Sequence, residues 1–162
     1  MKAHRVDSLD PAMELQDAAR RIVAVRTAEL YAFIPEALGD RAVSAMHDMR
    51  IAAKRLRYLL ELVGFCFGEV GEEAQTRARE LQDVLGEIHD CDVMLERISA
   101  SRAREPEGFD ALAERFAGRR AKQFSRFVAL WGQIEESGLR DRLLATTFST
   151  PNPTAVGATS DA

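Results

Sequence analysis

The chain has 162 residues, enough for one domain with a core that needs neither disulfide nor metal, and its 22 Lys and Arg against 26 Asp and Glu leave a formal net charge of −4 at pH 7. That balance excludes a general polyanion binder, so any attraction to phosphate must be local. With no apolar run near the roughly 20 residues of a membrane span, no basic-then-apolar leader in "MKAHRVDSLD", and Cys66 and Cys91 reading as buried free thiols, a soluble cytoplasmic protein is expected.

Asp10-Pro11 predicts a helix start, an N-cap carboxylate followed by a proline whose missing N–H costs nothing at the first helical position. The pattern runs to about Ile34 with Leu15, Ile22, Leu30 and Phe33 on or near one face, and Pro35 ends it. Gly39-Asp40 supplies a turn and a second N-cap, after which Ala45, Met49, Leu56, Leu60 and Val63 keep helical spacing until Gly68 and Gly71 interrupt. A third helix starts near Glu72 and carries Leu81, Leu85, Ile88, Leu95 and Ile98 toward "SASRAREPEG". The fourth covers about Phe109 to Glu136, with Phe116, Phe127, Leu130, Trp131 and Ile134 as its core stripe and Gly138 closing it. No strand pattern competes, and short polar connections make neighbours antiparallel. The expected fold is therefore all-α, an up-down four-helix bundle over residues 1–148. A short extra helix fits "LRDRLLATTF", and "STPNPTAVGATSDA", residues 149–162, reads as a disordered tail.

The second helix, "MHDMRIAAKRLRYLLELV", gathers His47, Arg50, Lys54, Arg55 and Arg57 into eleven residues. His47, Arg50, Lys54 and Arg57 fall within a sector of roughly 80°, off the centre of the Met49/Leu56/Leu60 stripe, as a line about 15 Å long. On that helix only Glu61 offers it a carboxylate. Like charges three and four residues apart cost a few tenths of a kcal/mol per pair, so removing Arg50 and Arg57 should leave stability equal or slightly raised. Helix four repeats the device, with Arg115, Arg119, Lys122 and Arg126 within roughly 60° of one another. Two such lines flank one groove if helices two and four lie close along one side. Arginine forks bind phosphate oxygens bidentately and lysine adds a mobile charge, so successive phosphates suit such a line, with protonated His47 as a further donor. The plain alternative is a solvated basic face partly paired to Glu61, Glu87 or Glu114.

"HDMRIAAKRLRYLLE" followed by "LQDVLGEIHDCDV" resembles the CHAD family. His47, Arg50, Lys54, Leu56, Arg57, Tyr58 and Glu61 match its first motif, and Leu81, Gln82, Leu85, Gly86, Asp90 and Val93 its later L-Q-x-x-L-G-x-x-x-D pattern, the resemblance covering roughly residues 10 to 136. It implies a helical bundle whose basic surface binds inorganic polyphosphate, in some members at polyphosphate granules. The anion ligands it implies are His47, Arg50, Lys54, Arg57, Arg115, Arg119, Lys122 and Arg126. Arg55 is a weaker candidate ligand because its side chain leaves the line, and Arg77 is a further one because it lies where it can reach the groove. The usual member carries two four-helix units facing a shared groove and this chain carries one, so a homodimer is expected to supply the missing half. At His89-Asp90 the family often has arginine or asparagine before the aspartate, and His89 reads as a surface or partner-facing residue.

Other functions weigh less. An enzyme lacks a Gly-rich phosphate loop, a nucleophile with a base in reach and a carboxylate pair with a role. A metal site at "HDCD" fails because consecutive side chains radiate around a helix. No cofactor or metal is expected. A nucleic-acid backbone would also meet a basic groove, but Tyr58 alone stands among the helix-two cations for base stacking. A scaffold bundle with purely solvating charges is the remaining alternative.

Overall fold

The computed structural model describes residues 2–102 and 109–148, and all regular structure among them is helical. In chain order the elements are α1 (Leu15–Ala32), α2 (Ile34–Ala37), α3 (Val43–Val63), a short 3-10 helix (Gly64–Phe67), α4 (Gly68–Arg102), α5 (Asp110–Glu136) and α6 (Leu139–Phe148). The long helices α1, α3, α4 and α5 are the expected up-down bundle, and α6 is the extra helix. The expected tail, residues 149–162, lies outside the described residues.

The boundaries differ from expectation at three places. Asp40 is not the N-cap of α3, which begins at Val43 behind Ala42 with no side-chain cap, because its carboxylate pairs with Arg120 of α5. Asp10 is not a helix N-cap: its Oδ1 accepts from Ala12 N at 2.8 Å to close a turn, and α1 begins only at Leu15 behind Glu14. Leu15 is 59% exposed and belongs to no core stripe. Downstream, Gly68 takes φ +56°, a left-handed conformation that favours glycine, and turns the chain directly into α4. Gly71 is no interruption. A Cβ there would lie 2.4 Å from the Gly64 carbonyl oxygen, so glycine lets the first turn of α4 close against the 3-10 helix.

α4 is the central element, packing along α3 on one side and α5 on the other, while α1 lies against α3. Val23, Met49, Leu60, Leu81, Leu85, Ile88 and Phe127 are almost wholly enclosed between these helices. α6 packs on α1, α4 and α5, burying Leu139 and Leu143, and the Tyr31 and Trp131 rings join α1 to α5 edge-on at 4.8 Å. Cys91 is buried as expected, whereas Cys66 is only partly so, and both are free thiols.

Candidate functional site: a cleft over the central helix

Because α4 separates α3 from α5, the two basic lines do not line a groove between adjacent helices. They stand on either side of α4. A cleft of about 560 Å³ opens there, lined by Arg50 from α3, by Arg126, Leu130 and Gln133 from α5, and by a stretch of α4 from Arg77 to Asp90. Of the ten basic or histidine residues singled out in the sequence, Arg50, Arg77 and Arg126 reach it.

The register between α3 and α4 explains what the second motif does. The His47 and His89 rings meet with centroids 4.8 Å apart and planes tilted by 51°, a Cβ at Gly86 would sit 3.8 Å from Arg50 Nε, and Arg57 Nε donates to Gln82 Oε1 at 3.0 Å. As the α3 number rises the α4 number falls, the signature of two antiparallel helices in contact. Each α3 group thus has an α4 counterpart in the "LQDVLGEIH" stretch: an amide for Arg57, a bare backbone for Arg50, a ring for His47. His89 is therefore not the surface or partner-facing residue expected, but the half-buried companion of His47.

The remaining α3 groups divide. Arg57 is held a second time by Glu61 at 2.8 Å, and its guanidinium carbon lies 4.3 Å from the centroid of the Tyr58 ring. Lys54 Nζ is 5.7 Å from the same centroid and, like Arg50, forms no ion pair among the described residues. Arg55, the weaker candidate, is half-buried and does not line the cleft. On α5, Arg115 and Lys122 are exposed, Arg126 Nη1 donates to Gln123 Oε1 at 3.0 Å, and Arg119 is hydrogen-bonded to Glu87. That bond and the charge of Glu87 raise the Arg119 pKa further above its ordinary value. Arg120, which sequence reasoning passed over, joins Asp92 of α4 at 2.5 Å to Asp40 at 2.8 Å. Burial works against its charge, and the two carboxylates more than compensate, so its pKa is raised.

The feature missed in the sequence is acidic. Glu80, Asp83, Glu87 and Asp90, spaced three, four and three apart, all line the cleft from α4. Arg77 is turned onto Glu80 at 2.8 Å, while Asp83 and Asp90 form no ion pair among the described residues. The three, four, three spacing of these carboxylates is legible in the sequence as one face of a helix. The result is an acidic ridge between two basic edges, and the charge free to meet an anion in the cleft comes from Arg50 and Arg126. Among the described residues no three His, Cys, Asp or Glu side chains converge to hold a metal ion.

No curated protein and no solved structure matches this chain. The family model described as CHAD domain matches residues 2–99, which spans α1 through all but the end of α4 and leaves α5 beyond the match. With both motifs in that span, packed face to face as one unit, the chain belongs to the CHAD domain family.

Proposed function

We propose that this protein binds inorganic polyphosphate without transforming it, along the α3 edge anchored by Arg50 and continued by Lys54 and Arg57, with His47 at its far end. The observation that carries this reading is that Arg50 opens into the cleft, across Gly86, with no carboxylate of its own among the described residues. An arginine with no ion pair among the described residues, on a helix that also carries Lys54 and Arg57, is a position that an anion stabilises. Membership of the family supports the ligand class, and the exposed α5 cations Arg115, Lys122 and Arg126, with Arg119 and Arg77 behind their carboxylates, extend the basic surface outward. In this reading the protein acts in the cytoplasm, at polyphosphate granules, as a homodimer.

The test is a calorimetric titration with polyphosphates of graded length, on the wild type and on Arg50→Ala. Binding should tighten with chain length, fall steeply with added salt as the entropy gained by counterion release shrinks, and be lost in Arg50→Ala. Equal affinity in the variant would remove Arg50 from the site. Displacement of polyphosphate by single-stranded RNA at equal phosphate concentration would transfer the reading to nucleic acid, for which Tyr58, 48% exposed beside Lys54 and Arg57, supplies a stacking surface.

A further inference from the structure

The outer face of α3 and of the 3-10 helix that follows it carries an apolar stripe that nothing among the described residues covers. Tyr58, Leu62 and Phe65 follow one another at spacings of four and three, and are 48%, 69% and 73% exposed. Leu62 and Phe65 are the two most exposed large apolar side chains among the described residues. With about 200 Å² for each ring and somewhat less for leucine, the stripe presents roughly 350 Å². The largest apolar patch of an ordinary monomer is about 300–600 Å² and is often functional, so size alone does not decide its role. The stripe is less than half of the about 800 Å² per partner that a stable interface buries, so a polar rim must contribute the rest.

The charges at its two ends say what fits. Lys54 lies four residues before Tyr58, and Glu69 and Glu72 are exposed just beyond Phe65; none of the three forms an ion pair among the described residues. The stripe is thus apolar in the middle, positive at one end and negative at the other. A surface with that polarity complements itself when turned end for end: two-fold pairing about Leu62 sets Lys54 of each copy against Glu69 of the other, and Tyr58 against the Phe65 end. A parallel arrangement would oppose like charges. Identical chains most often associate through such isologous contacts. The residues 149–162 are a poorer occupant, since Val156 is their only large aliphatic side chain.

Resting on the homodimer of the reading above, we infer that a second copy docks antiparallel on the Tyr58/Leu62/Phe65 stripe, with Lys54 and Glu69 as its reciprocal charged rim. The experiment is sedimentation velocity on the full chain across the micromolar range, at low salt and without polyphosphate. The wild type sediments as a dimer and Leu62→Glu as a monomer with unchanged circular dichroism. Lys54→Glu and Glu69→Lys each weaken the dimer about tenfold or more, because each opposes like charges, and the double variant recovers the wild-type constant. A monomeric wild type, a dimer indifferent to Leu62→Glu, or a double variant no tighter than the single ones overturns the inference, as does a dimer that deletion of 149–162 dissolves. A monomer that binds polyphosphate sinks the homodimer and its docking surface but leaves the ligand, and a dimer that ignores polyphosphate sinks the ligand but leaves the docking surface.

Discussion

Arg50 and Arg57 occupy equivalent positions on the α3 wheel, yet the structure separates them sharply. Arg57 donates through Nε to Gln82 at 3.0 Å and through Nη1 to Glu61 at 2.8 Å, stacks on Tyr58 at 4.3 Å, and keeps only 16% of its side chain exposed. Its truncation to alanine removes two hydrogen bonds at about 1 kcal/mol each and a cation–π contact of about 0.5 kcal/mol. Relief of crowding with Arg50 and Lys54 returns a few tenths of a kcal/mol. The net expectation for Arg57→Ala is a loss of about 2 kcal/mol, or roughly 4–8 °C in Tm for a chain of this size. Arg50→Ala breaks no hydrogen bond or ion pair among the described residues and should stay within about 0.5 kcal/mol of the wild type. The expectation drawn from charge crowding, that removing either is neutral or favourable, therefore survives only for Arg50. Urea denaturation of the two variants, with polyphosphate titrations alongside, checks this directly. Equal midpoints would refute the structural role given to the Gln82 contact, whatever happens to binding.

Two glycines of α4 should respond oppositely to alanine. Gly86→Ala meets nothing closer than Arg50 Nε at 3.8 Å and gains about 0.5–1 kcal/mol of helix propensity, whereas Gly71→Ala, with its Cβ 2.4 Å from the Gly64 oxygen, should lose more than about 1 kcal/mol; denaturant midpoints decide both. Gly86→Leu extends across the path of the Arg50 guanidinium and should weaken polyphosphate binding in a titration while leaving the helical circular dichroism intact. Burial pushes the Cys91 thiol up, an effect that Arg119 opposes only in part, so iodoacetamide at pH 7 should label the half-buried Cys66 first and Cys91 only on unfolding. A raised thiol pKa favours the folded state in full below the unfolded value of about 8.5 and loses that contribution as pH rises above it, so stability should decline on the alkaline side.

The fold was legible because each long helix repeats its apolar residues at helical spacing, and because glycines and prolines stand where the chain turns. Phe127, Trp131 and Ile134 are buried as their spacing requires, and so are Leu81, Leu85 and Ile88. What misled was local chemistry that serves two purposes. Asp10-Pro11 starts a turn as readily as a helix, and a glycine such as Gly71 reads as a breaker when it is a close contact. At the site, the basic lines were visible as lines, but which helix lies between them is a property of packing. Two of the partners sit twenty-five or more residues away, Gln82 from Arg57 and Glu87 from Arg119, where spacing along one helix carries no information.

That intervening helix also bears on which polyanion the surface selects. A phosphate chain crossing the molecule from Arg50 to Arg126 would pass over Asp83 and Asp90, two carboxylates without ion-pair partners among the described residues, and pay repulsion at each. A chain running lengthwise along α3 meets Arg50, Lys54 and Arg57 in succession and leaves the ridge to one side. A narrow, flexible strand of linked phosphates can take that course, whereas a stiff duplex about 20 Å wide lies across both edges and the ridge together. Neutralising the ridge should therefore act unevenly: Asp83→Asn with Asp90→Asn should raise affinity for duplex DNA more than for polyphosphate, as read in parallel titrations at one salt concentration. Equal gains for both ligands would mean that polyphosphate too crosses α4, and that the site is the whole cleft instead of one edge of it.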